Sequence, residues 1–408
     1  MNRSFKTVAA AAAVLMLGAG LGACSSNSSS SSSSAPPASA SVPAVAADAL
    51  PADFSVMKSL TSLASSGTGL VGVLLPDTTT SQRYVEYDAP FLTKAFESAG
   101  LSADQFKVDN AHGSPTTMQT QAEADINAGA SVLLIDALDS ASGAAIEQNA
   151  AAKGVKVIDY DRLTLGGPAD RYYVSFNNVQ VGQLIGQGEV SCISAWNVKS
   201  PNLLIMDGAA TDNNAKLFAQ GYNGVLKPHF DDGSYVKVGE PAGTWDAPTS
   251  ATTFQQQYTA HPNINAVVTP NDDNANAVIG VLQSLKIPAN TFPTTGQDAS
   301  TPGLQNILKG YQCGTVYKPV YAEAQAAAAL ALYLRAGQTP PASLVNDKTL
   351  DTTLNKEIAS VYTKPVWVTS ANMADTVVAD STTTGIGPTA KDICVAGLQS
   401  ACTKAGIS

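Results

Sequence analysis

The sequence predicts an α/β protein built from two similar lobes, each a parallel sheet covered by helices. From Leu70 onward, short apolar segments alternate with segments of helical periodicity, and several of the latter stop at a glycine, as at Gly100, Gly129 and Gly154. Such alternation predicts parallel strands with helices on both faces. A second run of the same kind follows the first, so we expect two doubly wound lobes rather than one long sheet.

The periodicity places each predicted element. The first set has strands at 70–75, 106–108, 132–135 and 155–158, and helices at 90–99, 117–128 and 142–153. A strand at 172–176 is predicted to cross from one lobe into the other. The second set has strands at 203–206, 235–238, 266–269, 291–294 and 315–317, and helices at 213–227, 249–259, 274–285, 302–308 and 321–336.

The first 24 residues predict an export signal that ends in a lipid-modified cysteine. Arg3 and Lys6 precede an apolar run, 8–21, which is short for a membrane span. The run leads into Leu-Gly-Ala-Cys, the pattern of a bacterial lipoprotein signal cut before Cys24. A plain secretory signal is the alternative. We therefore expect an extracytoplasmic protein that a lipid on Cys24 anchors to the cell membrane.

Residues 25–67 are predicted to be a Ser/Ala/Pro-rich tether, since the serine run in 25–41 cannot bury a core. The remainder is long enough for two ordinary domains. Its partners are not nucleic acids, because the net charge is -10 and the pI about 4.7.

Four cysteines remain besides Cys24, an even number that suggests two disulfides in an exported chain. Cys394 with Cys402 would close a small loop, which leaves Cys192 with Cys313. Free buried thiols are the alternative, and the sequence alone does not decide the pairing.

Polar and aromatic side chains recur just after the predicted strands, where ligands bind in open α/β sheets. These candidates are Arg83, Tyr84, Asp161, Arg162, Asp212, Asn214, Trp245, Asn271, Asp298 and Lys318. Each has an ordinary alternative: Asp212 and Asn271 suit helix N-caps, and Trp245 suits a core. Together, carboxylates, amides and guanidinium groups suit the hydroxyls of a sugar, and the aromatic rings suit its C–H faces.

Nothing in the sequence predicts a cofactor, a metal site or an activated nucleophile. The three histidines are scattered, and no Gly-x-Ser-x-Gly turn or phosphate-binding glycine loop occurs. Asp161 and Asp298 could in principle hydrolyse a glycoside, but Arg162 and Lys318 should keep both ionised. We therefore expect a binding protein rather than an enzyme.

The chain resembles the periplasmic-type sugar-binding proteins of ABC importers, over roughly residues 68–380. The segments that carry the resemblance are YDR at 160–162, YVSFNNVQVG from Tyr173, DNNAKLF from Asp212, VLKP from Val225, Asn271-Asp272, GQDA from Gly296, TVYKP from Thr315 and TTLN from Thr352. The resemblance is strongest to the xylose-binding members, although Tyr84 stands where those have tryptophan.

The resemblance implies two lobes joined by three crossing strands, the type I periplasmic binding protein fold. The implied segments are a signal peptide at 1–24, a tether at 25–67, a first lobe at 68–173 plus 319–364, and a second lobe at 174–318 plus 365–408. It also implies a monosaccharide in the cleft between the lobes. The family's sugar contacts fall on eight of the ten candidates, Trp245 matches a family aromatic residue, and Tyr84 is the remaining candidate.

The implied ligand is D-xylose, with D-glucose the runner-up, and the implied partner is an ABC permease in the membrane. We expect a monomer. The alternatives are a lipid-anchored glycosidase and a sugar-sensing lipoprotein without a transport role.

Overall fold

The computed structural model describes residues 43–407, so the predicted signal peptide, Cys24 and the serine run lie outside the described residues. The strands are β1 Leu70–Leu75, β2 Phe106–Asn110, β3 Ala130–Ile135, β4 Lys156–Tyr160, β5 Tyr172–Phe176, β6 Asn202–Ile205, β7 Val236–Gly239, β8 Ala266–Val268, β9 Thr315–Tyr317, β10 Asp347–Asp351, β11 Lys356–Thr363 and β12 Val366–Val368.

The longer helices follow the predicted segments to within a few residues. The helices are α1 Thr61–Ser66, α2 Ala89–Ser98, α3 Pro115–Asn127, α4 Ser140–Ala152, α5 Asn178–Ala195, α6 Asn213–Asp231, α7 Ala247–Ala260, α8 Asp272–Ser284, α9 Thr301–Lys309, α10 Val320–Arg335, α11 Ala379–Thr384, α12 Ala390–Ile393 and α13 Gln399–Lys404. A 3₁₀ turn, Ser55–Leu60, and two π-helical turns, Tyr84–Asp88 and Ala374–Val378, complete them. None of the helices within 43–407 is both long and apolar enough to cross a membrane.

The first lobe is built on a seven-stranded sheet in the order β10-β11-β5-β4-β3-β1-β2. All neighbours are parallel except the β10–β11 hairpin. This hairpin, which periodicity had not identified, turns at the TTLN segment. β5 pairs with this sheet as far as Phe176, so the first sheet extends past the boundary predicted after residue 173.

The second lobe holds a parallel three-stranded sheet, β7-β6-β8, and the antiparallel pair β9–β12. The strand predicted at 291–294 is wrong, because only Thr294 forms a bridge, with Val267. Pro293 has no N–H to donate to a ladder. The Thr295 hydroxyl instead accepts from the backbone N–H of Thr269 (3.0 Å) and donates to its carbonyl (3.0 Å).

Three chain crossings join the two lobes, and the predicted fold class is thereby confirmed. The chain leaves the first sheet after Phe176 and returns to it between Tyr317 and Val320. It leaves again between Thr363 and Val366. The carboxyl ends of the parallel strands in both sheets face the cleft at these crossings.

The tether prediction is wrong for residues 43–66, which we call the N-terminal arm. Phe54, Met57 and Leu60 are buried in the core of the first lobe, and Phe54 stacks on Phe91 of α2 at 6.0 Å between ring centroids. The side chain of Gln325 in α10 donates to a carbonyl of the arm (3.0 Å). The arm folds because its apolar residues cover α10 and α2, which would otherwise expose apolar surface to water.

Two disulfides fasten the second lobe, in the pairing that spacing favoured. Cys192 pairs with Cys313, and Cys394 pairs with Cys402; each pair has its Cα atoms 5.9 Å apart. The first disulfide joins α5 to the segment before β9. The second closes the loop between α12 and α13, whose apolar residues pack against α9.

Glu189 is an uncompensated acid in the interior of the second lobe. It lies fully buried in α5, and within residues 43–407 neither carboxyl oxygen has a hydrogen-bond partner. Burial raises the pKa of Glu189 well above its usual value. The folded protein therefore keeps this proton at a pH where the unfolded chain has lost it, and its stability falls as the pH rises above about 4.3.

Glu189→Gln keeps the shape of the side chain and removes the ionisation. We expect its melting temperature to match the wild type near pH ~4.5 and to exceed it at pH ~7.5. For each pH unit above the pKa of the unfolded glutamate, keeping the proton lowers the stability of the wild-type protein by up to about 1.4 kcal/mol. Differential scanning calorimetry across this range measures the difference. Glu97→Gln, at an exposed position of α2, is the control and should give no pH-dependent difference. An offset for Glu189→Gln that does not vary with pH would contradict the assignment.

Candidate functional site

All ten predicted site residues line one cavity between the two sheets. The cavity measures about 30 Å³, roughly the space of one water molecule, because charged side chains from both lobes fill the cleft. Ser81, Phe218 and Gln297 also line it. The strand-end argument therefore brought the right side chains together, while their role toward a ligand stays a prediction.

Asp161 lies at the centre of the site, directly after β4. Its backbone has a positive φ of 57°, and its carbonyl accepts hydrogen bonds from Tyr173 (2.9 Å), Ser175 (2.8 Å) and Asn214 (2.9 Å). These three donors stabilise a conformation that costs free energy in a non-glycine residue. Asn214 belongs to α6 of the second lobe, so this carbonyl also joins the lobes.

The Asp161 carboxylate is ionised despite its burial. Burial alone would raise its pKa, but the charges of Arg83, Lys318 and Arg162 outweigh burial and lower the pKa of Asp161 to about 2. Nη1 of Arg83 donates to Oδ1 of Asp161 at 3.0 Å, and the Tyr84 hydroxyl donates to Oδ2 at 3.3 Å. The site thus holds a permanent hydrogen-bond acceptor near neutral pH.

Tyr84 contacts two guanidinium groups. Arg83 and Arg162 lie 5.4 Å and 5.6 Å from its ring centroid, and Nη2 of Arg162 donates to its hydroxyl at 3.0 Å. Both distances are within the range of a cation–π contact. Tyr84 therefore contributes a fixed polar end as well as an aromatic face.

Arg162 faces two carboxylates, one from each lobe. Its Nε lies 3.4 Å from Oδ1 of Asp136 and 3.2 Å from Oδ2 of Asp212, but within residues 43–407 this N–H aligns with no acceptor. Asp136 directly follows β3 and is fully buried. Burial, reinforced by Asp161 and opposed by Arg162, raises the pKa of Asp136 well above its usual value.

Asp212 and Asn271 are both N-caps, as their ordinary interpretation predicted. Oδ1 of Asp212 accepts from the N–H of Asn214 (2.8 Å), and Oδ1 of Asn271 accepts from the N–H of Asn274 (2.9 Å). The second oxygen of Asp212 accepts from the indole N–H of Trp245 (3.1 Å). Capping and cleft lining are therefore combined in the same side chains.

Trp245 packs edge-on against Gly208, where no larger residue would fit. A Cβ atom at Gly208 would lie 2.2 Å from the indole ring. The close approach places the ring beside the cavity while its N–H stays bonded to Asp212. Trp245 is thus fixed at both ends.

Asp298 has an unusual backbone. Its φ is 92°, and Ala299 follows with a φ of 52°. The loop is held by the N–H of Asp298 donating to the carbonyl of Val316 (2.9 Å) and by the N–H of Ser300 donating to Asp272 (2.8 Å). Left-handed backbone at two consecutive non-glycine residues is costly and concentrates at functional sites.

Lys318 lies on the second crossing and joins the carboxylates of both lobes. Its Nζ is 3.6 Å from Oδ1 of Asp161 and 3.4 Å from Oδ1 of Asp298, and it lies 5.7 Å from the ring centroid of Phe176. The side chain is only 3% exposed. A cation at this position holds together two anions that would otherwise repel each other.

Sequence reasoning missed three buried acids behind the site. Asp136 follows a strand and could have been found by the same strand-end argument. Asp88 and Glu323, which hold Arg83, lie in a π-helical turn and in α10, where no strand-end signal marks them.

Several polar atoms around the cavity remain unbonded. Within residues 43–407, both carboxyl oxygens of Asp136, Nε of Arg162, Oε1 of Gln297 and Oδ1 of Asp298 have no hydrogen-bond partner. Buried polar atoms normally have one. In the same part of the chain, no three His, Cys, Asp or Glu side chains gather so that they could hold a metal ion. The cavity therefore offers both hydrogen-bond donors and acceptors that no protein group of residues 43–407 satisfies.

Comparison with known proteins agrees with the fold. The sequence pattern of the periplasmic binding protein domain matches residues 71–339. The D-xylose-binding periplasmic protein of Escherichia coli (strain K12) is 35% identical over 298 residues, 72% of this chain and 85% of that protein. The multiple sugar-binding periplasmic protein SbpA of Azospirillum brasilense is 32% identical over 328 residues, 76% of this chain and 88% of that protein.

A solved structure extends the likeness to three dimensions. The carbohydrate transporter solute-binding protein of Chloroflexus aurantiacus, in complex with D-glucose, superposes with a TM-score of 0.67 at 28% identity, over 76% of this chain and 96% of that one. With the domain match and the identity to curated relatives, this likeness establishes the family. The chain belongs to the periplasmic binding proteins.

Proposed function

We propose that the protein is the extracytoplasmic sugar-binding component of an ABC importer, which binds a monosaccharide between its lobes and delivers it to a membrane permease. The sugar-binding and transport names of its relatives support this class. The proposed ligand is D-xylose, with D-glucose as the runner-up.

The unbonded polar atoms around the cavity carry this proposal. A sugar hydroxyl is both a donor and an acceptor, so it can bond a carboxylate and a guanidinium at once. Groups with unbonded atoms line the cavity from both lobes: Arg162 from the first, Gln297 and Asp298 from the second. A pyranose needs more room than one water, so we infer that it enters as the lobes separate and displaces the ion pair between Arg162 and Asp212. Contacts to both lobes then favour the closed form.

A glycosidase is disfavoured by the acids that line the cavity. Glycoside hydrolysis needs a protonated acid beside an ionised carboxylate. Asp161 is the ionised carboxylate, but Asp136, whose pKa is raised, does not line the cavity. We therefore propose binding without turnover. A sensor without transport uses the same cleft, and only its membrane partner would differ.

Substitutions of Asp298 test the site, because they change its carboxylate and its backbone strain separately. Asp298→Gly removes the carboxylate and also relieves the positive φ, which glycine adopts without penalty. Loss of a charge-assisted hydrogen bond of about 1.5–3 kcal/mol should weaken sugar binding roughly tenfold to over a hundredfold. The melting temperature of the unliganded variant should not fall.

Isothermal titration with D-xylose, together with thermal unfolding, measures both effects. Asp298→Ala should lose similar affinity but gain no stability, since alanine keeps the strained backbone. Asp231→Ala, at an exposed position of α6, should leave both unchanged. Wild-type affinity in Asp298→Gly would exclude a ligand contact.

D-xylose should bind about tenfold to a hundredfold more tightly than D-glucose. The two sugars share the hydroxyl pattern at carbons 2, 3 and 4, so the hydroxymethyl group of glucose is the difference. An unpaired buried hydroxyl costs about 1–3 kcal/mol. Competitive titration decides between them. If glucose instead binds as tightly as xylose, Tyr84 leaves the space that tryptophan fills in xylose binders, and Tyr84→Trp should restore the preference.

Cys24→Ser should separate the protein from the membrane. The proposed lipid on Cys24 is the attachment, and its removal should release the protein to the medium or leave it unprocessed. Fractionation of cells that express either form, followed by mass spectrometry of the N-terminus, checks this. A processed Cys24→Ser protein that stays in the membrane fraction would refute the anchor.

A further inference from the structure

The guanidinium of Arg83 is held from behind by two acids that do not line the cavity. Its Nε and Nη2 donate to the two oxygens of Asp88, at 2.8 Å and 2.6 Å. Nη2 also donates to Oε2 of Glu323 at 2.9 Å, and Nη1 donates to Asp161 at 3.0 Å. An arginine side chain has five N–H donors. Four are therefore committed within residues 43–407, and the fifth is on Nη1, beside the cavity.

We propose that Glu323 is a positioning residue, which orients Arg83 so that Nη1 presents its remaining N–H to the sugar. The inference rests on the proposed function and adds the residue that sets its geometry. Asp88 and Asp161 engage one N–H each of Nε, Nη2 and Nη1, and Glu323 accepts the second N–H of Nη2. The bond to Glu323 thus holds Nη2 from a second direction and restrains the tilt of the guanidinium plane about its edge with Asp88.

The position of Glu323 in the chain gives this contact a second consequence. Glu323 lies in the first turn of α10, which begins directly after the crossing that carries Lys318. Its side chain is fully buried. The two cations that hold Asp161, namely Arg83 and Lys318, are thus fixed with respect to each other through one turn of helix.

Glu323 contacts Arg83 through only one of its two carboxyl oxygens. Burial, reinforced by Asp161 and Asp88 and opposed by Arg83 and Lys318, raises the pKa of Glu323 well above its usual value. Within residues 43–407 its Oε1 has no partner, and only Oε2 accepts a bond. Glutamine is close in shape to glutamate, keeps a side-chain oxygen that can accept the bond from Arg83, and removes the ionisation.

Two substitutions of Glu323 separate positioning from charge and from packing. Glu323→Gln should bind D-xylose or D-glucose within about threefold of the wild type, whereas Glu323→Leu should bind about tenfold more weakly, the loss expected for one hydrogen bond to a charged group. Titration calorimetry measures the affinities. Glu189→Leu replaces a buried glutamate far from the site, so it should leave the affinity unchanged.

The Arg83 side chain gives a readout that needs no sugar. In nitrogen-15 NMR of the unliganded protein, the Nε–H signal of Arg83, assigned by its loss in Arg83→Lys, should keep its position and protection in Glu323→Gln and lose both in Glu323→Leu. Should Glu323→Leu fail to fold, Glu323→Met replaces it, since methionine adapts to irregular space.

Sugar affinity and the Arg83 signal together distinguish failure of the positioning role from failure of the proposed function. Unchanged affinity and an unchanged Arg83 signal in the apolar variant would overturn the positioning role. So would a Glu323→Gln variant as weak as Glu323→Leu, because the charge would then be what matters. A wild-type protein that binds neither sugar would overturn the proposed function, while the Arg83 signal would still decide the role of Glu323.

Discussion

The site depends on keeping its three cations, Arg83, Arg162 and Lys318, paired inside the cleft. Removing an ion from water costs several kcal/mol unless partners replace the lost solvation. The partners here are carboxylates from both sheets and from α10. Because an unpaired buried charge would destabilise the fold, the strand ends must meet where each cation reaches a carboxylate.

The distribution of the charges between the lobes connects folding to binding. Arg162 belongs to the first lobe and Asp212 to the second, while Lys318 on the crossing reaches carboxylates of both. When the lobes separate, these groups regain water but lose one another. A ligand with many hydroxyl groups can replace part of the bound water and part of the lost ionic contacts. The cleft can therefore exchange one set of polar contacts for another at small net cost.

Strand ends were predictable from the sequence because periodicity locates strands and topology brings their carboxyl ends together. That argument placed all ten candidates on one cavity, Asp161 and Asp298 among them. Contacts made by helices could not be found in this way, since the face that Glu323 presents depends on how α10 packs. Likewise, the arm contains Ser and Ala as the predicted tether before it does. Its fold could not be predicted from the sequence, because it depends on the surface of the first lobe against which the arm packs.

The N-terminal arm also determines where a mechanical load would enter the molecule. Phe54 and Met57 are buried in the core of the first lobe. The side chains of Gln325 and Arg335 donate hydrogen bonds to carbonyls of the arm. A pull on the chain upstream of the arm is therefore resisted by the packing of one lobe.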